Sequence, residues 1–247
     1  MNPLAATSLV PAGASTAIAA TPCDIWQLPD DACLGDPVAA TTTAEQAQAA
    51  RMVQPDRARL FLRLRAAMRT ILSQYVGLPP AEIPLEQAPA GKPHLTGAAA
   101  CWQFNFSHTR GLAILAVAHG RSLGVDIECT RQEIDDAAIA RRFFSSREQA
   151  FLSDHQESAS RLAAFFALWT RKEAYLKEGG RGLAGNLSKV EASCWPQAGG
   201  PLPDEDKAWL PLPLPPGFVG ALVAAGTSPL NLVPPRLSLP HGHQSPA

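Results

Sequence analysis

Apolar residues recur along this chain with two distinct periods. Between Asp56 and Val76, Leu60, Leu64, Met68, Ile71 and Tyr75 fall three or four apart, which predicts a long amphipathic helix ended by Gly77 and Pro79. Leu162, Phe166 and Trp169 repeat that spacing and predict a second long helix over about Ala159 to Glu178, ended by Gly179-Gly180. Between the helices the period falls to two. Strands are expected over about Trp102 to His108, Leu112 to Ala118 and Leu123 to Ile127, joined at Arg110-Gly111 and Gly120-Arg121-Ser122.

Weaker signals fill the rest. Cys23 to Leu28 reads as a first strand and Asp30 to Thr41 as loop. Thr42-x-x-Glu45 and Ser145-x-x-Glu148 are capping boxes, each opening a short helix, and another helix is expected from about Glu133 to Phe143. Pro79 to Gly97 is a proline-punctuated connection. Leu187 to Cys194, Ala208 to Leu212 and Phe218 to Ala224 read as three further strands. A long helix followed by three strands thus occurs twice. This predicts an α+β fold of two pseudo-symmetric lobes, each a long helix on a small, mainly antiparallel sheet, with a site in the cleft between them. The expected boundaries are a disordered leader at 1–20, an N-terminal lobe at 21–128, a C-terminal lobe at 129–227 and a mobile tail at 228–247.

Composition narrows the function classes. A formal net charge of −1 over 247 residues offers no global attraction for nucleic acid or anionic membrane. The five cysteines are odd in number and include no Cys-x-x-Cys, which argues against a zinc cluster or a disulfide framework and fits a reducing cytosol. Met1 to Ala20 lacks a basic start and is broken by Pro3, Pro11 and Gly13, so it does not read as a signal peptide. No apolar run reaches membrane-spanning length.

The chemistry concentrates in two stretches. In Leu123-Gly-Val-Asp-Ile-Glu128, strand alternation puts Asp126 and Glu128 on one face, with Cα atoms roughly 6–7 Å apart. Such a pair repels unless a cation lies between, and Mg²⁺ with a substrate phosphate is the natural choice. A solvated acidic edge is the plain alternative. In the second long helix, Glu173 continues the apolar stripe at i+4 from Trp169, so it points inward, and Lys177 follows one turn on. Buried carboxylates need a partner or a metal. Arg171 is expected to face solvent and Lys172 to lie at the boundary, while Glu148 has a capping role that competes with a site role. Three acids from two elements, with Lys92, His108 and Lys177 nearby, suggest a metal-bound polyphosphate, with Glu173 placed to act as general base. The arginines of the first long helix, among them Arg59, Arg63, Arg65 and Arg69, read as a solvated face or as an anion contact.

At this point the chain resembles the 4′-phosphopantetheinyl transferases of the Sfp type. The resemblance rests on Gly91-Lys92-Pro93, Asn105-Phe106-Ser107-His108, Gly124-Val125-Asp126-Ile127-Glu128, and Trp169-Thr170-Arg171-Lys172-Glu173-Ala174-Tyr175-Leu176-Lys177 with Gly182-Leu183. Arg142-Phe143-Phe144-Ser145 and Glu148 also match. The resemblance implies transfer of the phosphopantetheine arm from coenzyme A to a serine of an apo acyl or peptidyl carrier protein, with release of 3′,5′-ADP. It implies Asp126, Glu128 and Glu173 as the Mg²⁺ site, Glu173 as the base for the incoming serine, and Lys177 on the pyrophosphate. Ser107 and His108, the Gly91-Lys92-Pro93 wall and one helix arginine, Arg59 in preference to Arg63, are implied as coenzyme A contacts. Arg141, Arg142, Phe143 and Phe144 combine basic and apolar character suited to an acidic carrier protein, or simply to a helix end. A monomeric cytoplasmic enzyme of secondary metabolism is the expected setting. A metal-dependent nucleotide pyrophosphate hydrolase and a non-catalytic coenzyme A binder are the alternatives.

Overall fold

The computed structural model describes residues 21–28, 36–130, 134–180 and 187–233. The leader, residues 29–35, Glu133, Gly182-Leu183 and residues 234–247 lie outside the described residues.

The first sheet has the order β10-β1-β5-β4, from β1 (Thr21–Leu28), β4 (Trp102–Thr109), β5 (Leu112–His119) and β10 (Leu230–Val233). The second has the order β6-β9-β8-β7, from β6 (Leu123–Cys129), β7 (Gly200–Pro201), β8 (Lys207–Pro211) and β9 (Phe218–Ala225). All pairings within these sheets are antiparallel except β1 with β10. A small hairpin, β2 (Leu85–Gln87) with β3 (Pro93–Leu95), lies in the proline-punctuated connection, where a loop was expected.

Each sheet packs one face against a long helix. The helix α3 (Pro55–Val76) lays Met68, Ile71 and Leu72 on Trp26, Phe104 and Leu115, and ends at Gly77 in the left-handed conformation that favours glycine. Pro55, at the first helical turn, starts this helix rather than interrupting the chain, because no backbone N–H is needed there. The helix α6 (Ser158–Glu178) lays Phe165, Phe166 and Leu168 among Trp209, Ala221 and Val223. A third core joins the lobes: Ile25, Ile114 and Ala116 meet Val125, Ile127 and Leu222. Residues Leu112 to Ala118 of β5 are therefore buried on both faces, which explains their unbroken apolar run.

Four expectations require correction. The strand expected third in the N-terminal lobe, β6, pairs with β9 and so belongs to the second sheet. The tail is not wholly outside the fold, since Leu230–Val233 adds a parallel strand to β1 and returns the chain to the first sheet. Leu187 to Cys194 is not a strand but a 3₁₀ turn at Leu187–Lys189 and irregular chain, in which Val190 O and Ala192 N are bonded by side chains. Within the expected loop, Pro37–Ala40 forms a one-turn helix, α1, capped by Asp36.

Both capping boxes form, opening α2 (Thr43–Ala50) and α5 (Ser146–Ser153). The helix α4 (Asp136–Phe143) precedes α5 and starts later than the expected Glu133. The four described cysteines, Cys23, Cys101, Cys129 and Cys194, are free thiols.

Candidate functional site

Two devices bring β6 and α6 together. The first is Gly124. A Cβ there would lie 2.2 Å from both Ala174 O and Glu178 N, so the helix backbone rests directly on the strand only because this residue has no side chain. The same face of β6 then carries Asp126 and Glu128 under the inward side of α6. The second device is a row of polar side chains on β4. Asn105 Oδ1, Ser107 Oγ and Thr109 Oγ1 accept from the backbone amides of Val125, Ile127 and Cys129 at 2.8, 3.4 and 3.3 Å. Side chains thus satisfy β6 amides that a neighbouring strand would otherwise bond, and they lock its register against β4.

That register sets the acids among specific partners. Lys177 Nζ lies 2.6 Å from Asp126 Oδ1 and 3.1 Å from Ser107 Oγ, and Ser107 Oγ lies 3.0 Å from Asp126 Oδ1. Thr109 Oγ1 donates to Glu128 Oε2 at 3.3 Å. Burial raises the Asp126 carboxyl above its ordinary range, with the Lys177 ammonium opposing. Burial and then the Asp126 charge raise Glu128. Glu173 is pushed up to about 7, by burial first, then by Asp126, with Lys177 pulling down and Glu128 adding to the rise. The mutual influence of these groups puts all three acids in one electrostatic cluster.

The donor set fits a hard cation. Asp126 Oδ2 and Glu173 Oε1 are buried with no hydrogen-bond partner. Unpaired carboxylate oxygens in a dry site are costly, and oxygen-seeking Mg²⁺ is the chemistry that would relieve them. Among the described residues, however, no three His, Cys, Asp or Glu side chains are grouped tightly enough to hold a metal ion as they stand. Lys177 is on the Asp126 carboxylate instead.

A cavity of about 630 Å³ is walled by Arg57, Leu60, Phe61, Pro93, Phe106 and His108. His108 directly follows Ser107 on β4, so the cavity and the acids lie on opposite faces of one strand. Pro93 and His108 both line this cavity.

Other expected contacts lie elsewhere. Arg59 is exposed and pairs with Asp56, three residues away. Of the helix arginines, Arg57 and Arg65 line the cavity, and Arg59 and Arg63, expected against coenzyme A, do not. Arg69 is buried and bonds Glu45, Pro80 O and Ile83 O. Lys92 Nζ, drawn inward, bonds Leu123 O at 3.0 Å and Glu178 O at 3.1 Å, joining the hairpin to β6 and to the end of α6. The Ser107 hydroxyl is committed to the acid cluster, leaving His108 to face the cavity.

Lys172 is fully buried, bonded to Glu148 and Val190 O, so Glu148 is both a cap and half of a buried ion pair. Arg171 is buried against Trp209 rather than solvated. Phe144 is core, stacked on Phe165, and Phe143 packs edge-on to Trp169, while Arg141 and Arg142 are exposed.

Sequence reasoning missed Asn105 and Thr109 as positioning groups. Alternation along β4 did put Asn105 and Ser107 on one face, and that was the available signal.

Residues 122–208 match a family model described as the 4′-phosphopantetheinyl transferase superfamily. Residues 26–120 match one described as 4′-phosphopantetheinyl transferase, N-terminal. The break falls at Arg121, where the chain passes from β5 in the first sheet to β6 in the second. The chain is 34% identical over 209 residues to the 4′-phosphopantetheinyl transferase HetI of Nostoc sp., covering 82% of this chain and 87% of that one. It is 31% identical over 169 residues to the L-aminoadipate-semialdehyde dehydrogenase-phosphopantetheinyl transferase of Xenopus laevis, covering 60% of this chain and 56% of that one. It is 34% identical over 118 residues to a 4′-phosphopantetheinyl transferase of Bacillus subtilis, covering 47% of this chain and 50% of that one.

Proposed function

The chain belongs to the 4′-phosphopantetheinyl transferase superfamily, whose members pass the phosphopantetheine arm of coenzyme A to carrier proteins, and we propose that in this chain the reaction occurs at Asp126, Glu128 and Glu173. One observation carries the assignment. Asp126 Oδ2 and Glu173 Oε1, from a strand and a helix, are buried without hydrogen-bond partners, and each acid lies within the electrostatic reach of Lys177. A fold bears that cost where a bound group offsets it.

In this reading Asp126, Glu128 and Glu173 would hold Mg²⁺, which supplies positive charge for the diphosphate of coenzyme A. The cavity walled by Phe61, Pro93, Phe106 and His108 takes the nucleotide end, with Arg57 or Arg65 replacing Arg59 as the helix arginine nearest to it. Glu173 Oε1 accepts the proton of the incoming carrier serine, directly or through water. The serine oxygen bonds to the phosphorus that carries the pantetheine arm. The bond from that phosphorus to the bridging oxygen breaks, and 3′,5′-ADP leaves with the electron pair. Lys177 balances charge on the phosphates, moving off Asp126 to do so. We read the enzyme as Sfp-type, because one chain supplies both lobes of the cleft, and as a cytoplasmic monomer whose partners are a carrier protein and coenzyme A, with no nucleic acid or membrane. Among the described residues no helix is long and apolar enough to cross a membrane. The exposed Arg141 and Arg142 remain the basic part of a carrier-docking face, whereas Phe144 is withdrawn from it into the core.

The test is a panel of apo carrier proteins incubated with the full chain, Mg²⁺ and coenzyme A, read by intact-protein mass. Gain of one phosphopantetheine arm is expected, and Glu173→Gln should give none. Cleavage of coenzyme A with no carrier modified would instead identify a pyrophosphate hydrolase.

A further inference from the structure

A second cavity, of about 310 Å³, lies on the C-terminal lobe between α5, α6 and the segment around residues 193–197. It shares no lining residue with the cavity that His108 lines. Its floor is apolar: Phe151, Ala164, Ala167 and Leu168 line it, and the small side chains leave a trough along α6. At one end of that trough is Arg171, 8% exposed.

Arg171 is a buried cation without a counter-ion among the described residues. Among the described residues no carboxylate lies within salt-bridge distance of it, whereas the neighbouring buried Lys172 is paired with Glu148. The guanidinium stacks over Trp209 at 4.2 Å from the ring centroid. Its in-plane donors reach only Ala192 O and Gln197 Oε1, both at 3.4 Å, beyond the usual range for such bonds. A planar fork with five donors is thus held by packing and left poorly satisfied. Burial lowers its pKa with no nearby acid opposing.

We propose that this trough is a binding site for a small carboxylate carrying an apolar body, with the carboxylate on Arg171 and the body on Ala164, Ala167 and Phe151. The chemistry selects the ligand class. One guanidinium neutralises one negative charge and matches the two oxygens of a carboxylate in plane. A phosphate dianion would leave a surplus negative charge against apolar walls, and no lysine lines the cavity to offset it. The only other titratable lining residue is His155, whose Nδ1–H donates to Phe151 O at 2.9 Å, so that side of its ring is already used. The inference does not depend on the transferase reading, since neither Arg171 nor the trough takes part in that site.

The probe is sodium octanoate, titrated into the full chain while tryptophan emission is followed, because Trp209 lies under the guanidinium. Inorganic phosphate is the second probe. Saturable octanoate binding is expected, at least tenfold tighter than phosphate, and weakened at least tenfold by Arg171→Gln. Ala167→Phe fills the trough from the helix surface and should weaken binding as much while melting cooperatively. It decides the question if Arg171→Gln fails to fold. Absence of a saturable response, equal affinity in wild type and the folded variants, or phosphate binding as tightly as octanoate would each overturn the proposal.

Discussion

Lys177 Nζ rests 2.6 Å from Asp126 Oδ1, joining the end of α6 to the middle of β6. The pair is asymmetric: the Asp126 side chain is 7% exposed and that of Lys177 30%. The lysine can therefore move while the aspartate stays in place, which suits a charge that must follow a phosphate. Lys177→Met should lower kcat for carrier modification by about 10²- to 10³-fold, in line with loss of one charged group at a transition state. The fold should survive, because an uncompensated Asp126 can protonate. Single-turnover kinetics and a thermal melt check the two halves.

Glu173 ties function to instability. Its pKa in the folded, metal-free chain is about 7, against an ordinary 4.5. Because the folded value is the higher one, its contribution to stability is fully present below about pH 4.5 and is lost as pH rises through about 7. In chelator, Glu173→Gln should therefore be more stable than wild type at pH 8, by on the order of 1 to 2 kcal/mol after allowing for partial solvent screening, and equal to it near pH 4.5. The same variant should transfer nothing. Denaturant melts at the two pH values test the sign.

Gly124→Ala is expected to damage stability and activity together. The added methyl meets helix backbone at 2.2 Å, and backbone cannot step aside as a side chain tip can. Overpacking of this kind costs about 1–3 kcal/mol. It also lifts α6 from β6, so kcat should fall further than the loss of folded protein explains. Urea melts alongside activity per folded molecule separate the effects.

The β4 side-chain row makes a different prediction. Asn105→Ala leaves the Val125 amide buried without an acceptor, at a cost of about 1–3 kcal/mol. Thr109→Val removes contacts to both Cys129 N and Glu128, so it should weaken Mg²⁺ binding as well as stability. Calorimetric titration of Mg²⁺ in the presence of coenzyme A measures the second effect.

Lys172 and Glu148 test whether the neighbour of Glu173 is merely structural. Both side chains are fully buried. Lys172→Met strands a buried carboxylate that also accepts from Ala192 N and Ser145 N, and should cost about 3–5 kcal/mol. Activity per folded molecule at low temperature should stay near that of wild type.

Periodicity alone located both long helices, the central strands to within two residues, both capping boxes and the inward aim of Glu173. These are local properties: side-chain spacing, caps and terminating glycines act within one or two turns. Asp126, Glu128, Glu173 and Lys177 were legible for that reason. What the sequence could not decide was which strand pairs with which. The β6 strand follows β5 along the chain, yet its apolar face completes the core between the sheets and its edge bonds β9, so it belongs to the other lobe. Nor could local pattern tell a solvated arginine from Arg171 stacked on Trp209, a surface lysine from Lys92 bonding two distant carbonyls, or Arg59 from Arg57 at the cavity wall. Long cationic side chains reach their partners through several rotatable bonds, and those partners come from segments far away along the chain. The sequence by itself determined which acids face inward on each element; packing across Gly124 and the side-chain row of β4 decided that they face one another, because only tertiary contact sets the distance between a strand and a helix.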